Sequence, residues 1–183
     1  IKAVARDKNA VYVGGESGLY VRRNGSSGWE RLYVLATPDK NGEEGAPISD
    51  DAQIEREEYG SINCVTIEGG TVYIAADRNI LSSADGGKTW TNFPAEGLAG
   101  SINFIIPPAE RPSKMYCATT RGVFEFDKDS SRWLELYKGT DKNLDVIQLL
   151  PEDGSADKLW AITDKGLYKL QGDKYIGDGY VDI

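Results

Sequence analysis

VYVGGESGLY, at residues 11–20, consists of an apolar run, a polar turn and a second short apolar run. The same ten-residue pattern returns as VYIAADRNIL at 72–81, MYCATTRGVF at 115–124 and LWAITDKGLY at 159–168. Each copy is followed, after a further turn, by an aromatic residue; these are Trp29, Trp90, Trp133 and Tyr175. Apolar runs on both sides of a short turn are typical of antiparallel β-hairpins, so each copy predicts a hairpin.

A further apolar segment precedes each copy, at residues 1–5, 62–67, 102–106 and 146–150. Each unit of about forty residues therefore predicts four short strands joined by turns rich in Gly, Asn, Asp and Lys. Four short strands do not bury both of their faces alone, so neighbouring units must stack. The sequence thus predicts an all-β fold, a β-propeller of four-stranded antiparallel blades. A β-sandwich made from the same strands is the alternative.

We expect a single domain over residues 1–183, with blades at approximately 1–35, 59–99, 100–140 and 141–183 and an acidic insertion loop at 36–58. Propellers have about four to eight blades, so four units form either a small closed ring or part of a ring of about six to eight blades. The sequence does not begin with Met, and Tyr180-Val181-Asp182-Ile183 resembles the start of another strand. These features favour the partial ring, whose remaining blades would then be a partner of this chain.

The composition excludes several classes of partner and chemistry. The 183 residues contain 29 acidic and 21 basic side chains, a net charge of -8, which argues against nucleic acid as a partner. No stretch approaches the roughly 20 apolar residues of a membrane-spanning helix, so no direct membrane insertion is predicted. Histidine, the commonest general base, is absent. Cys64 and Cys117 lie in apolar runs and are predicted to be buried free thiols, with one disulfide as the alternative.

One turn carries a more specific motif, Ser83-Ala84-Asp85-Gly86-Gly87-Lys88-Thr89-Trp90. It resembles the Asp-box of bacterial neuraminidase (BNR) repeats, Ser-x-Asp-x-Gly-x-Thr-Trp, at every defined position. The resemblance implies a structural turn between the third and fourth strands of a blade, on the face away from the ligand, and no catalytic role for Asp85. Counting back from Trp29 and Trp133 puts Asn24 and Lys128 at the Asp position, so those units depart from the motif. The defined positions here are Ser83, Asp85, Gly87, Thr89 and Trp90.

The repeats at 11–20 and 159–168 also resemble blades of periplasmic sensor propellers in two-component regulators. A third resemblance is to the photosystem assembly-factor type of BNR propeller. Together these resemblances cover nearly the whole chain and imply a bacterial protein that is periplasmic or secreted. They favour a non-catalytic binding or scaffolding propeller that holds a protein or carbohydrate partner. The same architecture also serves sensors and hydrolases, so a two-component sensor domain stays open as an alternative.

The candidate binding face is formed by the turns between second and third strands. Three of the four turns carry a basic residue at the same position, Arg78, Arg121 and Lys165, and two of these follow Asp77 and Asp164. In an acidic protein, this pattern predicts a cationic rim for a carboxylate, a sugar acid or an acidic protein loop. Solvated turn residues without a ligand are the alternative interpretation.

The insertion at 36–58 carries much of the excess negative charge, including Asp39, Glu43 and Glu44. Long insertions in compact domains are often functional, so these three residues are candidate partner contacts. Residues 39–43 resemble a calcium loop only faintly, since their Gly is fourth where the EF-hand pattern has it sixth. No cofactor and no metal site are therefore predicted, with calcium as the open alternative.

The Asp-box also occurs in sialidases and some glucan hydrolases, so part of a glycoside hydrolase is the enzymatic alternative. Sialidase chemistry requires an arginine cluster, a Tyr nucleophile with a Glu partner, and an acid/base Asp. Arg111-Pro112 falls in a loop at the opposite end and does not match that family's Arg-Ile-Pro. The sequence identifies no catalytic residue, and a binding protein is favoured over an enzyme.

Overall fold

The computed structural model describes residues 1–32, 34, 61–76, 78–109, 114–136, 144–152, 155–171 and 174–176, with backbone alone for 155–157, 171 and 174–176. In these residues the chain forms 16 β-strands, arranged as four antiparallel sheets of four strands each. Within every sheet, the strands neighbour one another in chain order. Each sheet is therefore one blade, and the blades are numbered 1 to 4 along the chain.

The strands follow the repeat units. Blade 1 contains β1 (Ala3–Arg6), β2 (Ala10–Gly15), β3 (Gly18–Arg23) and β4 (Glu30–Leu32). Blade 2 contains β5 (Cys64–Glu68), β6 (Thr71–Ala76), β7 (Asn79–Ser83) and β8 (Thr91–Asn92). Blade 3 contains β9 (Ile102–Ile106), β10 (Tyr116–Thr119), β11 (Gly122–Asp127) and β12 (Arg132–Glu135). Blade 4 contains β13 (Val146–Glu152), β14 (Ser155–Thr163), β15 (Gly166–Gln171) and β16 (Lys174–Ile176).

Each ten-residue repeat forms the hairpin of the second and third strands, in the same register. Val13 pairs with Tyr20 in blade 1, as Ile74 pairs with Leu81 in blade 2. In three blades the third strand begins at a glycine with positive φ, of which Gly122 at 133° is one example. Only glycine adopts such a backbone conformation readily, so this residue makes the tight turn possible.

Among the residues that the structure describes, the hydrophobic core forms three clusters, each lying between two consecutive blades. Blades 1 and 2 enclose a cluster that includes Leu19 and Ile74, blades 2 and 3 enclose one that includes Ile80 and Ile105, and blades 3 and 4 enclose one around Val123. The first strands β1, β5, β9 and β13 contact one another in series. Blades thus bury their faces by stacking, as a propeller requires.

These observations confirm the predicted fold class, an all-β protein with four four-stranded antiparallel blades. Cys64 and Cys117 are both buried and free, in agreement with the predicted thiols. No helix in the described part of the chain is long and apolar enough to cross a membrane.

Candidate functional site

Residues at the first strands of all four blades line a cavity of about 670 Å³. Its lining residues come from the beginning of each first strand, and its polar lining residues are Lys2, Asn63, Asn103 and Gln148. The beginning of a first strand pairs with the end of the second strand, as Ala3 does with Gly14. The cavity therefore opens at the same end of the blades as the turns between second and third strands. We call this end the turn face.

Two asparagines at equivalent positions connect consecutive blades beside the cavity. Asn63 Nδ2 donates to the carbonyl of Ile102 at 3.4 Å, and Asn103 Nδ2 donates to the carbonyl of Val146 at 2.9 Å. Asn103 Nδ2 also donates to a carboxylate oxygen of Asp145 at 2.7 Å. Each amide therefore joins its own blade to the next one in the chain.

Lys2 extends this series into blade 1. Its Nζ donates to Asn63 Oδ1 at 3.0 Å and to Ser61 Oγ at 3.1 Å. The ammonium group is thus held at the edge of the cavity by neutral oxygen acceptors. A cation beside a cavity with polar walls can bind an anionic ligand group, because a neutral acceptor leaves its charge uncompensated.

Cys64 also lines the cavity, but its chemistry is that of a structural thiol. Burial raises the pKa of Cys64 to about 11 and also raises that of Cys117. The thiolate is the reactive form of cysteine, so both side chains are protonated and poorly nucleophilic at neutral pH. The cavity wall at Cys64 is therefore apolar in character.

The structure places the predicted basic residues at equivalent turns of three successive blades. Arg78, Arg121 and Lys165 are all exposed on the turn face. Two of these turns share the same hydrogen bonds, in which a threonine hydroxyl accepts from the basic residue's amide and donates to the following glycine carbonyl. The acceptor for Arg121 is Thr119 Oγ1 at 3.0 Å, and for Lys165 it is Thr163 Oγ1 at 3.1 Å. The backbone at Arg121 and at Lys165 is thereby fixed, and both residues are exposed.

The connection from blade 2 to blade 3 contacts the Arg121 turn. Ser101 N donates to Thr120 Oγ1 at 3.1 Å, and Thr120 N donates to the Ser101 carbonyl at 3.0 Å. In blade 4, Asp164 is exposed, and its amide donates to the Asp145 carbonyl at 3.1 Å. These bonds attach each turn to the segment that enters the first strand, which lies next to the cavity. Asp77 falls outside the described residues.

The motif at 83–90 lies at the opposite end, between β7 and β8. The Asp85 carboxylate accepts four hydrogen bonds, from Ser83 Oγ at 2.8 Å, Lys88 N at 2.9 Å, Thr89 N at 3.0 Å and Thr89 Oγ1 at 2.6 Å. Donors from Thr89 and Ser83 hold the pKa of Asp85 well below its ordinary value. Trp90 is buried in the core between blades 1 and 2. The motif is therefore a closed hydrogen-bonded turn whose carboxylate is occupied within the turn itself.

This turn also contacts the preceding blade. Arg23 of blade 1 donates from Nη2 to the Gly86 carbonyl at 2.9 Å and forms an ion pair with Glu30. A Cβ atom at Gly87 would lie 2.4 Å from a methyl carbon of Leu32, also in blade 1. The glycine thus allows the turn to approach blade 1. This contact between blades is not visible in the sequence of a single repeat.

Blade 3 uses a different aspartate in the corresponding turn. Asp127 accepts from Ser130 Oγ at 2.5 Å and from Asp129 N at 3.1 Å, and the Ser130 hydroxyl is the main cause of its lowered pKa. Counting back from Trp133 had put Lys128 at the Asp position, one residue later. The spacing thus differs by one residue, and the turn of blade 3 contains Ser131 with a positive φ of 52°.

Several predicted features lie outside the described residues, namely the insertion at 36–58 with Asp39, Glu43 and Glu44, and the Arg111-Pro112 dipeptide. Within the described ranges, no three His, Cys, Asp or Glu side chains form a group that could hold a metal ion.

The chain is similar to several known proteins in its fold. No family model and no curated protein matches this chain. The extracellular domain of the putative one component system BT4673 from B. thetaiotaomicron is similar in structure, with a TM-score of 0.65 and 18% identity over 92% of this chain and 20% of that chain. YCF48 bound to D1 peptide has a TM-score of 0.61 and 17% identity over 93% of this chain and 51% of that chain.

A glycoside hydrolase gives a comparable match. The GH74 enzyme of Niastella koreensis has a TM-score of 0.61 and 14% identity, covering 97% of this chain and 29% of that chain. The chain thus shares its propeller fold with sensor domains, with YCF48 and with GH74 enzymes. It spans 20% to 51% of the length of these three proteins.

Proposed function

We propose that this chain is a non-catalytic, extracytoplasmic binding or scaffolding propeller whose turn face holds an acidic segment of a partner protein. The observation that carries the proposal is the position of the 670 Å³ cavity. It opens at the end of the blades where Arg78, Arg121 and Lys165 are exposed and where Lys2 is bonded to neutral oxygens.

Charge and shape both support an acidic peptide as the ligand. The whole chain has a net charge of -8, so an anionic ligand is attracted only where positive side chains are concentrated. Exposed ion pairs contribute little each, about 0–1 kcal/mol, so the basic rim alone would bind weakly. The cavity supplies walls of both polar and apolar character and suits an inserted side chain. YCF48, a protein of the same fold, is known bound to a peptide, which favours a protein partner.

The proposal has two further parts. We propose Asp39, Glu43 and Glu44, in the insertion at 36–58, as contacts with a part of the partner other than its acidic segment. The similarity to extracellular sensor domains supports a location outside the cytoplasm. A carbohydrate partner is the alternative, and the similarity to GH74 enzymes concerns the fold alone.

Charge reversal on the turn face tests the proposal. The variant Arg78→Glu/Arg121→Glu is compared with Lys8→Glu/Lys128→Glu, which makes the same change of net charge at exposed turns of the opposite end. The probe is a fluorescein-labelled oligoglutamate peptide, followed by anisotropy. We expect the turn-face variant to weaken binding roughly tenfold or more, and the control variant to bind within about twofold of the original chain.

Salt dependence and a second class of probe complete the experiment. Binding through exposed charges weakens as ionic strength rises, since the Debye length falls to about 8 Å at physiological salt. Equal loss of binding in both double variants would contradict a specific turn-face site. Absence of peptide binding together with a positive glycan array would replace the protein partner with a carbohydrate.

A further inference from the structure

The turn between β3 and β4 of blade 1 contains the dipeptide Asn24-Gly25. Both residues are exposed, and a hydrogen bond from Ser26 N to the Arg23 carbonyl at 3.0 Å closes the turn. Gly25 has a φ of 82°, and no atom lies within 4 Å of the position that a Cβ atom would occupy. The peptide bond that follows Asn24 is therefore uncrowded and reachable by water.

The amide of Gly25 is also unbonded. It donates to no acceptor among the residues that the structure describes. The nitrogen that follows an asparagine can attack Cγ of that side chain and close a five-membered ring. Glycine favours this closure, because it has no side chain that hinders the approach and its backbone is conformationally permissive.

The other asparagines in the described part of the chain lack this combination. Asn9 is exposed in the turn between β1 and β2, but the amide that follows it, Ala10 N, donates to Asp7 Oδ1 at 2.8 Å. The rest precede a cysteine or a large apolar residue within or directly beside a strand; they are Asn63, Asn79, Asn92 and Asn103. The structure thus distinguishes Asn24 from asparagines of the same composition and exposure.

The side chain of Asn24 is oriented by one hydrogen bond, in which Nδ2 donates to the carbonyl of Lys8 in the turn between β1 and β2. An N–H bond lies in the plane of its amide, whereas a nucleophile approaches Cγ from above or below that plane. The bond to Lys8 therefore leaves both faces of Cγ open to the Gly25 nitrogen.

We propose that Asn24-Gly25 is a site of spontaneous deamidation. The Gly25 nitrogen loses its proton and forms a bond to Cγ of Asn24, the Cγ–Nδ2 bond breaks, and ammonia leaves with that proton. The product is a succinimide ring, which water then opens. Attack of water at Cγ gives aspartate with the ordinary backbone. Attack at the main-chain carbonyl carbon gives isoaspartate, whose backbone passes through the side chain.

Both products change the attachment of blade 1 at the end opposite the turn face. The amide that donates to the Lys8 carbonyl becomes a carboxylate, which is an acceptor only when ionised. The isoaspartate also lengthens the main chain between Arg23 and Ser26, whose hydrogen bond closes the turn. Arg23 Nη2 donates to the Gly86 carbonyl of blade 2, so the modified turn lies beside a contact between blades.

Peptide mapping by mass spectrometry, after incubation of the purified chain at physiological temperature and pH, tests the proposal. The peptide that contains Asn24 should gain the mass of a change from NH2 to OH and separate into two products. An isoaspartate methyltransferase should methylate one of them. We expect conversion at Asn24 to be roughly tenfold or more faster than at Asn9, and Gly25→Ala to slow it by roughly tenfold or more.

Three results would overturn the proposal. The first is conversion of Asn24 no faster than that of Asn9, which needs no variant and so does not depend on the folding of Gly25→Ala. The second is an intact Asn24 in a chain that deamidates at Asn41, which also precedes a glycine and lies outside the described residues. The third is aspartate without isoaspartate, which would show direct hydrolysis of the side chain in place of ring closure.

Discussion

Asp85 shows how a single carboxylate can organise a turn without taking part in binding. Its carboxylate accepts four hydrogen bonds, and all four donors belong to residues 83–89. This turn lies at the end of the blades opposite the cavity. The turn places Trp90 in the core between blades 1 and 2, although the Trp90 indole nitrogen has no acceptor in the described residues. The position of Trp90 is therefore set by packing and by the backbone of the turn.

Asp85→Asn should lower stability in a pH-dependent way. The Asp85 pKa in the folded chain lies below its ordinary value of 3.8, so the carboxylate contributes stability that is complete above that value and is lost as pH falls toward the folded-state pKa. We expect the melting temperature of the variant to lie a few degrees below that of the original chain at pH 7. The difference should shrink as pH falls below about 4.

Asp129→Asn provides the control, because Asp129 is an exposed aspartate in the corresponding turn of blade 3. Thermal unfolding followed by circular dichroism across this pH range makes the comparison. A difference between Asp85→Asn and the original chain that stays constant down to pH 2 would contradict a role for the ionised carboxylate.

At the scale of elements, the connection from blade 2 to blade 3 is attached to the outer strand β12. Trp133 N donates to the Glu96 carbonyl at 2.8 Å, and Trp133 Nε1 donates to the Pro94 carbonyl at 2.9 Å. Gly97 lies against the same strand with a φ of 82°. A Cβ atom there would be 2.2 Å from the Trp133 carbonyl oxygen, so the approach requires glycine.

Gly97→Ala should therefore lower the free energy of unfolding by about 3 kcal/mol, through backbone strain and steric overlap. Gly25→Ala is the matched control, because Gly25 has the same φ of 82° and no atom within 4 Å of the Cβ position. It should cost about 1 kcal/mol from strain alone. Urea unfolding at one protein concentration measures both, and equal losses would show that the overlap with Trp133 is relieved by movement of the connection.

The elements were predictable because the hairpin signal is local. An apolar run, a turn and, in three of the four repeats, a glycine at the start of the third strand occupy ten consecutive residues, and this pattern specifies register as well as strand positions. The cavity residues were not predictable in this way. Asn63 and Asn103 are each the second residue of an apolar segment, and their common role appears only when the blades stack and their amides reach the next blade.

The candidate site shows the same division between local and long-range information. The basic turns at Arg78, Arg121 and Lys165 were found by alignment of the repeats, but their relation to a cavity depends on the arrangement of all four first strands. In blade 3, the use of Asp127 was missed because counting back from Trp133 assumes turns of equal length. A carboxylate followed three residues later by serine, as in Asp127 and Ser130, is the local signal that could have identified it.

For the whole molecule, stability depends on stacking, since each blade buries its faces only against its neighbours. Within the described residues, blades 2 and 3 contribute to two inter-blade cores each, whereas blades 1 and 4 contribute to one each. In such arrays, stability is approximately a sum of unit terms and nearest-neighbour interface terms. Opening a terminal blade therefore disrupts one interface, and opening a central blade disrupts two.

Hydrogen exchange should reveal this difference in the second strands. β2, β6, β10 and β14 are each paired on both sides, so their hydrogen bonding is alike and differences in exchange report the stacking. At a concentration where the chain is monomeric, we expect amides of β2 and β14 to exchange roughly tenfold or more faster than those of β6 and β10. Mass spectrometry of peptides from each strand makes the measurement. Equal exchange rates in all four strands would contradict this prediction. They would mean that the blades unfold as one cooperative unit, because the inter-blade interfaces are too stable for a terminal blade to open alone.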